Sequence, residues 1–278
     1  MAITNKNINK NNNLTNKELS IQLSLNGLSF CILNRNNQTV ITLKDIPFEK
    51  KLNPLELLDK LKHVVNTNED LQHAFDQVIV IHDNELSSLV PKALFKEEFK
   101  ADYLKFNTKI LKSDFIAHDT IKINDSVCVY VPYVNINNYL YDLYGEFVYK
   151  HAATVLIESI LKLEKNQDKL NFYVNVHVSH FEIVVVEKAK LILYNRFEYN
   201  TKEDFIYYIL FAAEQLGLNP ETLNLIFLGK INKDSPLYII TFKYVRFVFL
   251  GRREDAFKYS LEAQPEDHHT NFTLIKSL

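Results

Sequence analysis

Glycine is where phosphate chemistry would show in this sequence, because a loop that brings backbone N–H groups against a phosphate oxygen needs residues without a Cβ. The 278-residue chain has five: Gly27, Gly145, Gly217, Gly229 and Gly251. Each stands alone, so neither a P-loop nor a dinucleotide fingerprint can be written anywhere along it. Histidine offers a second route. His177-x-x-His180 falls in a strand or its turn, and residues three apart in extended backbone face opposite ways, which argues against a shared metal. His82-Asp83 closes an apolar run and His268-His269 lies in a polar tail beside Asp267. The first pair again faces apart, and the second reads as solvated rather than zinc-binding. Arg252-Arg253, after Gly251, reads as a solvated turn.

Nucleophiles and metal-directing acids are equally sparse. Cys31 and Cys128 sit in strand-like apolar runs and read as small buried hydrophobes. With no CxxC and no disulfide framework, a reducing, cytoplasmic setting is expected. No Gly-x-Ser-x-Gly elbow exists. Ser20 to Asn26 carries no carboxylate, so a magnesium nuclease with a ribonuclease H-like opening would lack its first-strand ligand.

The elements that must position these residues follow from periodicity. Leu19–Leu25, Leu28–Leu33 and Thr39–Leu43 alternate as three short strands, with Asn26-Gly27 predicted as a type I′ hairpin turn. Asn53-Pro54 with Glu56 predicts a capped helix whose buried stripe is Leu57, Leu58, Leu61, Val64 and Val65, and Gln77–Ile81 is a fourth strand. The same β-β-β-α-β order returns as Leu170–Val178, Phe181–Glu187, Leu191–Phe197, a helix opened by Thr201 and Asp204 and stopped by Gly217, and Asn224–Leu228. Between the units, Asp83–Glu146 reads as an insertion with a helix over Lys92–Ala101, a hairpin over Phe115–Pro132 and a Tyr-rich helix near Asn137–Tyr144. Helix His151–Leu163 then closes the first half. The fold class is thus α/β with duplicated units: a lead-in over 1–17, a first lobe over 18–167 containing the insertion 83–146, and a second lobe over 168–278.

Composition agrees with a globular chain: 47% hydrophobic residues, 12% aromatic and a formal net charge of −2. That charge gives no footprint of a dedicated nucleic-acid binder. Met1–Lys17 is rich in Asn and Lys and lacks the apolar core of a secretion signal, so it reads as disordered. Leu237–Leu250 holds Lys243 and Arg246 and is too short to span a bilayer.

A repeated β-β-β-α-β unit with an insertion in its first half resembles the actin-like ATPase superfold of actin, sugar kinases, Hsp70 chaperones and bacterial cell-division and pilus-assembly proteins. More closely, Ser87-Ser88-Leu89-Val90-Pro91-Lys92-Ala93-Leu94-Phe95 and Lys150-His151-Ala152-Ala153-Thr154-Val155-Leu156-Ile157-Glu158 resemble an uncharacterised bacterial domain-of-unknown-function family assigned that superfold. The resemblance covers roughly residues 17–278. It implies an Asp-x-Gly in the first hairpin of each half, where the aspartates direct Mg²⁺ and the glycines admit phosphate. Here those slots read Leu25-Asn26-Gly27-Leu28-Ser29 and His177-Val178-Ser179-His180. Both carboxylates are missing. The superfold's Gly-Gly beside the base is reduced to Gly229-Lys230.

The expectation is therefore a non-catalytic binding or scaffold protein with a protein partner and no cofactor. The alternative is a switch that binds ATP without fast hydrolysis through Gly27, Ser29, Ser179, Gly229 and Lys230. For the partner surface, the tyrosine-dense insertion stands out, with Tyr139, Tyr141 and Tyr144 as contacts.

Overall fold

A computed structural model describes residues 15–278. Most of the expected lead-in, residues 1–14, lies outside the described residues. Strand β1 (Lys17–Ser24) runs into β2 (Gly27–Asn34) and β3 (Thr39–Pro47), followed by helix α1 (Pro54–Thr67) and β4 (Gln77–His82). Then come β5 (Ser87–Pro91), α2 (Lys100–Lys105), β6 (Ala117–Ile121), β7 (Ser126–Tyr130), α3 (Val134–Tyr144), β8 (Val148–His151) and α4 (Ala152–Leu163). The second unit has β9 (Asn171–Val176), β10 (His180–Glu187), β11 (Lys190–Glu198), α5 (Lys202–Gln215), β12 (Asn224–Gly229), α6 (Pro236–Tyr244) and β13 (Phe247–Leu250). A short β14 (Lys258–Tyr259) and α7 (Phe272–Lys276) complete the chain.

Two sheets share one strand order. The first runs β14-β3-β2-β1-β4-β8 and the second β11-β10-β9-β12-β13, so each unit is a three-strand antiparallel meander extended by two parallel strands. The fifth strand of each unit, β8 or β13, escapes sequence reading because it is only four residues long. The apolar stretch Leu237–Leu250 divides into α6 and β13.

Local chemistry sets the helices. Asn53 Oδ1 accepts from the N–H groups of Leu55 and Glu56, and Glu56 Oε2 accepts from Asn53 N, closing a reciprocal cap over α1. Thr201 and Asp204 do the same for α5. On the first sheet, Leu19, Ile21 and Leu23 pack with Leu57, Leu61 and Val64 of α1 and with Ile136 and Leu140 of α3. On the second, Phe181, Ile183 and Val185 face Phe205 and Ile209 of α5, while Val184 and Val186 face α4. Burial on both faces explains why β10 reads as an unbroken apolar run. Helix α4 lies between the second sheet and β7 and is buried on nearly every side, from Ala152 to Leu161 with Glu158 the exception.

Several expectations change. Leu25 and Asn26 form the first hairpin's two-residue loop, and neither they nor Gly27 has positive φ, so the turn is not type I′. The helix expected over Lys92–Ala101 is two short 3₁₀ turns followed by α2. Only part of 83–146 stands apart, as the sheet β5-β7-β6 with its own core of Val90, Leu104, Val127 and Val129. Helix α3 instead joins the first core. After Gly251 the chain crosses back, pairing β14 with β3 and packing α7 on α4, β1 and β2. Arg253 is buried there, with its guanidinium on Asp255 and on the carbonyls of Asp267 and Thr270, and is not solvated. His269 is likewise buried, its Nε2 2.6 Å from the Ile231 carbonyl oxygen.

Candidate functional site

The carboxyl ends of β1, β4, β9 and β12 meet where the two sheets face each other, and there the hairpins of the two halves touch. Asn26 Nδ2 donates to Ser179 Oγ at 2.7 Å. These are the two turns that the resemblance places on either side of a phosphate. Here they bond to each other.

Four of the five nucleotide candidates converge on this cleft: Gly27, Ser29, Ser179 and Lys230 all line it. Its free volume is about 50 Å³, and a second recess of about 40 Å³ between Ser29, Asp45, Gly229 and Lys230 adjoins it. A site for a drug-sized ligand needs about 300 Å³ or more. The candidates are also engaged elsewhere. Ser29 Oγ donates to Asp45, Lys230 Nζ lies 3.8 Å from Asp45 Oδ2, and Asn271 Nδ2 donates to the same oxygen at 2.8 Å. Gly229 N–H donates to the His269 carbonyl at 2.9 Å. A Cβ at Gly229 would stand 2.3 Å from the Val176 carbonyl oxygen, so the close pairing of the end of β12 with β9 demands glycine there without any phosphate. Among the larger hollows, one of about 690 Å³ lined by Glu85, Ser87, Phe106, Thr108 and Arg196 among others contains none of the five, and one of about 460 Å³ beside Asp45 and Asn271 takes in Lys230 alone.

What fills the cleft is a charged cluster that the sequence reading did not assemble. Asp83, one residue past β4, is buried and accepts from Arg196 Nη1, while Gln22 Nε2 approaches its Oδ2 at 3.4 Å. His180 Nε2 is 3.4 Å from Asp83 Oδ1, and His177 Nδ1 is 3.9 Å from Asp83 Oδ2. His177 Nε2 meets Glu182 Oε2 at 3.1 Å, and Asn175 Nδ2 and the Tyr194 hydroxyl donate to Glu182 at 2.8 and 3.3 Å. The histidines do not face apart as extended backbone would require. His177 lies before the Val178-Ser179 turn and His180 after it, closed by His177 N–H to the His180 carbonyl at 2.9 Å, so the rings stack 4.3 Å apart.

Protonation follows from these contacts. Burial alone would raise the Asp83 carboxyl, but His180 and the Arg196 guanidinium outweigh it and hold it well below the usual carboxylate range. Burial pulls His177 down, yet its bond to Glu182 and the Asp83 charge raise it on balance. Glu182 is held low against its own burial by His177. Burial lowers His180 despite the opposing Asp83 charge. The cluster joins β4 of the first sheet to β9–β11 of the second through two carboxylates, the Arg196 guanidinium and two imidazoles.

The tyrosine candidates separate. The Tyr144 hydroxyl donates to the Leu71 carbonyl at 2.7 Å, and its ring stands edge-on to Phe75. Tyr139 is partly buried against the first core with Lys62 Nζ 5.7 Å from its ring centroid. Tyr141 alone of the three is mainly exposed, at 59%.

The family model for proteins of unknown function designated DUF3822 matches residues 5–248. The chain belongs to this family. Among solved structures, a Bacteroides thetaiotaomicron protein with actin-like ATPase fold and unknown function superposes with a TM-score of 0.76 at 25% identity, over 85% of this chain and 91% of that one. The PilM-PilN type IV pilus biogenesis complex matches at a TM-score of 0.62 and 9% identity, covering 93% and 96%. The ethanolamine utilization protein EutJ from Carboxydothermus hydrogenoformans matches at 0.50 and 8%, covering 94% and 88%. Comparison with curated proteins gives no match. This DUF3822 chain therefore has the actin-like ATPase fold, and among the described residues no helix is long and apolar enough to cross a membrane.

Sequence reasoning missed Asp45, Glu182 and Arg196, and weighed Asp83 only as a partner of His82. One signal was available: Glu182 is a lone carboxylate inside Phe181–Val186, and the register sets it between Asn175 and Arg196 on adjacent strands.

Proposed function

We propose that this protein is a non-catalytic binding or scaffold protein built on a degenerate actin-like ATPase fold. The observation that carries the proposal is the direct Asn26–Ser179 bond across a cleft of about 50 Å³, which leaves the triphosphate slot filled by the chain's own groups. Asp45 adds a negative charge beside Lys230, where an active site would present an uncompensated cation to phosphate. The division into lobes 18–167 and 168–278 belongs to the same reading, with the insertion 83–146 narrowed to the part built on β5, β6 and β7 and with β14 and α7 returned to the first lobe. Two unpaired, buried thiols support a cytoplasmic setting. The PilM neighbour is in complex with PilN, and by that analogy of fold this chain works through a protein partner. Of the three tyrosines, Tyr141 is the one a partner could reach; Tyr139 and Tyr144 act in packing.

The second reading, a nucleotide-binding switch, draws on the convergence of Gly27, Ser29, Ser179 and Lys230 at one cleft. It requires the halves to part, and ATP to favour the parted state over the closed one. A steady-state phosphate-release assay with Mg²⁺ and ATP tests the non-catalytic assignment. The expected rate equals buffer. Turnover above ~0.1 s⁻¹, still well under common enzymatic values, that disappears in Ser179→Ala would overturn it.

A further inference from the structure

We propose that Asp83, His177 and His180 form a binding site for one divalent transition-metal ion of the zinc or cobalt type, which clamps the first half of the chain to the second. Their donor atoms all lie within 4.8 Å of one another. Two ligands on one ion at about 2.1 Å stand roughly 3.4 Å apart in tetrahedral geometry. The His180 Nε2 to Asp83 Oδ1 separation is 3.4 Å, and the His177 Nδ1 to Asp83 Oδ2 separation is 3.9 Å, so with all donors inside 4.8 Å the three need to close by about 1.4 Å at most around an ion.

An independent observation points to a missing ligand. His180 is 2% exposed, yet its Nδ1 has no partner at all and its Nε2 has only a poorly aligned approach to Asp83 Oδ1 at 3.4 Å. A buried imidazole left unpartnered is costly, and such groups mark a partner that protein atoms do not supply. His177 shows the complementary preparation. Its Nε2 is tied to Glu182 at 3.1 Å, which directs Nδ1 toward Asp83, and Glu182 is itself anchored by Asn175 and Tyr194. A carboxylate behind a ligating histidine is the usual outer shell of such a site.

Donor chemistry selects the ion. Two imidazoles and one carboxylate suit zinc, cobalt, nickel or iron, whereas magnesium and calcium prefer oxygen throughout. Arg196 engages Asp83 through Oδ1 and fixes the carboxylate plane while leaving Oδ2 toward His177. The two rings are within 10° of parallel, so one must turn before both lone pairs meet a single ion. His180, fixed by no well-aligned hydrogen bond, is the one able to do so.

The test uses the untagged full chain, stripped with chelator and titrated with Zn²⁺ in a calorimeter and with Co²⁺ by visible absorption. One ion per chain is expected, with the d–d bands of a low-symmetry Co²⁺ site. His180→Ala is expected to abolish those bands and to weaken Zn²⁺ binding at least ~100-fold, the upper end of what losing an outer-shell partner costs, while exposed His63→Ala changes neither. If His180→Ala does not fold, His180→Gln takes its place, since it keeps a polar side chain without an imidazole. Absence of Zn²⁺ binding at micromolar concentration, or wild-type Co²⁺ spectra in the folded His180 variant, would overturn the proposal.

Discussion

Acidification is expected to unfold this protein between about pH 6 and pH 4, ahead of ordinary carboxylate titration, because two buried histidines outside the cleft cluster must stay neutral. His82 Nδ1 accepts the backbone N–H of Tyr133 at 3.3 Å, and His151 Nδ1 accepts that of Ala153 at 3.1 Å, capping α4. A backbone N–H only donates, so each Nδ1 must be unprotonated. Each Nε2 then donates, to Asn137 Oδ1 at 2.9 Å and to the Asn84 carbonyl at 3.1 Å. Burial pushes His82 down to about 3 and His151 to about 4.

Both folded values are depressed, so the stabilisation is present above the unfolded value near 6.5 and is lost as pH falls below it. Each histidine removes about 1.4 kcal/mol per pH unit, which by pH 4 sums to on the order of 6 kcal/mol, comparable to a whole domain's stability. Asp83, also held low, acts in the same direction at still lower pH. His177, held high, loses its contribution as pH rises through its raised value. Urea midpoints followed by circular dichroism at successive pH values measure this. His151→Gln should flatten the acid slope by about one proton equivalent, roughly 1.4 kcal/mol per unit. A stability that stays level from pH 7 to pH 4.5 would contradict the assignment.

Gly229→Ala is expected to cost about 4 kcal/mol, combining overpacking with the strain of a left-handed residue. At φ +80° its new Cβ would stand 2.3 Å from the Val176 carbonyl oxygen and 2.9 Å from Val176 N, both ladder atoms that cannot swing aside. Gly145 has nearly the same φ, +79°, with nothing within 4 Å. Gly145→Ala, at ψ −142°, therefore isolates backbone strain without a contact, about 1–3 kcal/mol. Denaturant midpoints of the two variants decide the matter. Equal losses would mean that β9 does not press on Gly229, and would restore a ligand as the reason for glycine there.

How much could be read from residue order differs by element. The Asn53 cap, the Thr201–Asp204 capping box, the Gly217 stop and the two β-β-β-α-β units were legible because cap, period and turn are encoded within a few residues of one another. Strands β8 and β13 were not, since four residues carry too little periodicity and their pairing comes from β4 and β12, distant in sequence. The cleft was half legible. Missing hairpin carboxylates could be read directly, but Asp83 reaches His180 only through the closure of two sheets, 97 positions apart in the chain. Arg253 and His269 looked solvated because their sequence neighbours are polar, whereas β14 and α7 fold that segment back onto the first sheet.

The central claim is that the cleft between the two sheets is closed by the chain's own side chains and takes no nucleotide. Its most direct test is the melting temperature of the full chain with and without saturating Mg²⁺ and ATP. No change is predicted, because a ligand that does not bind the native state cannot stabilise it. A reproducible rise with ATP, absent with inorganic phosphate and corresponding to about 2.7 kcal/mol at a hundredfold excess over Kd, would contradict the account and establish a nucleotide site between Gly27, Ser179 and Lys230.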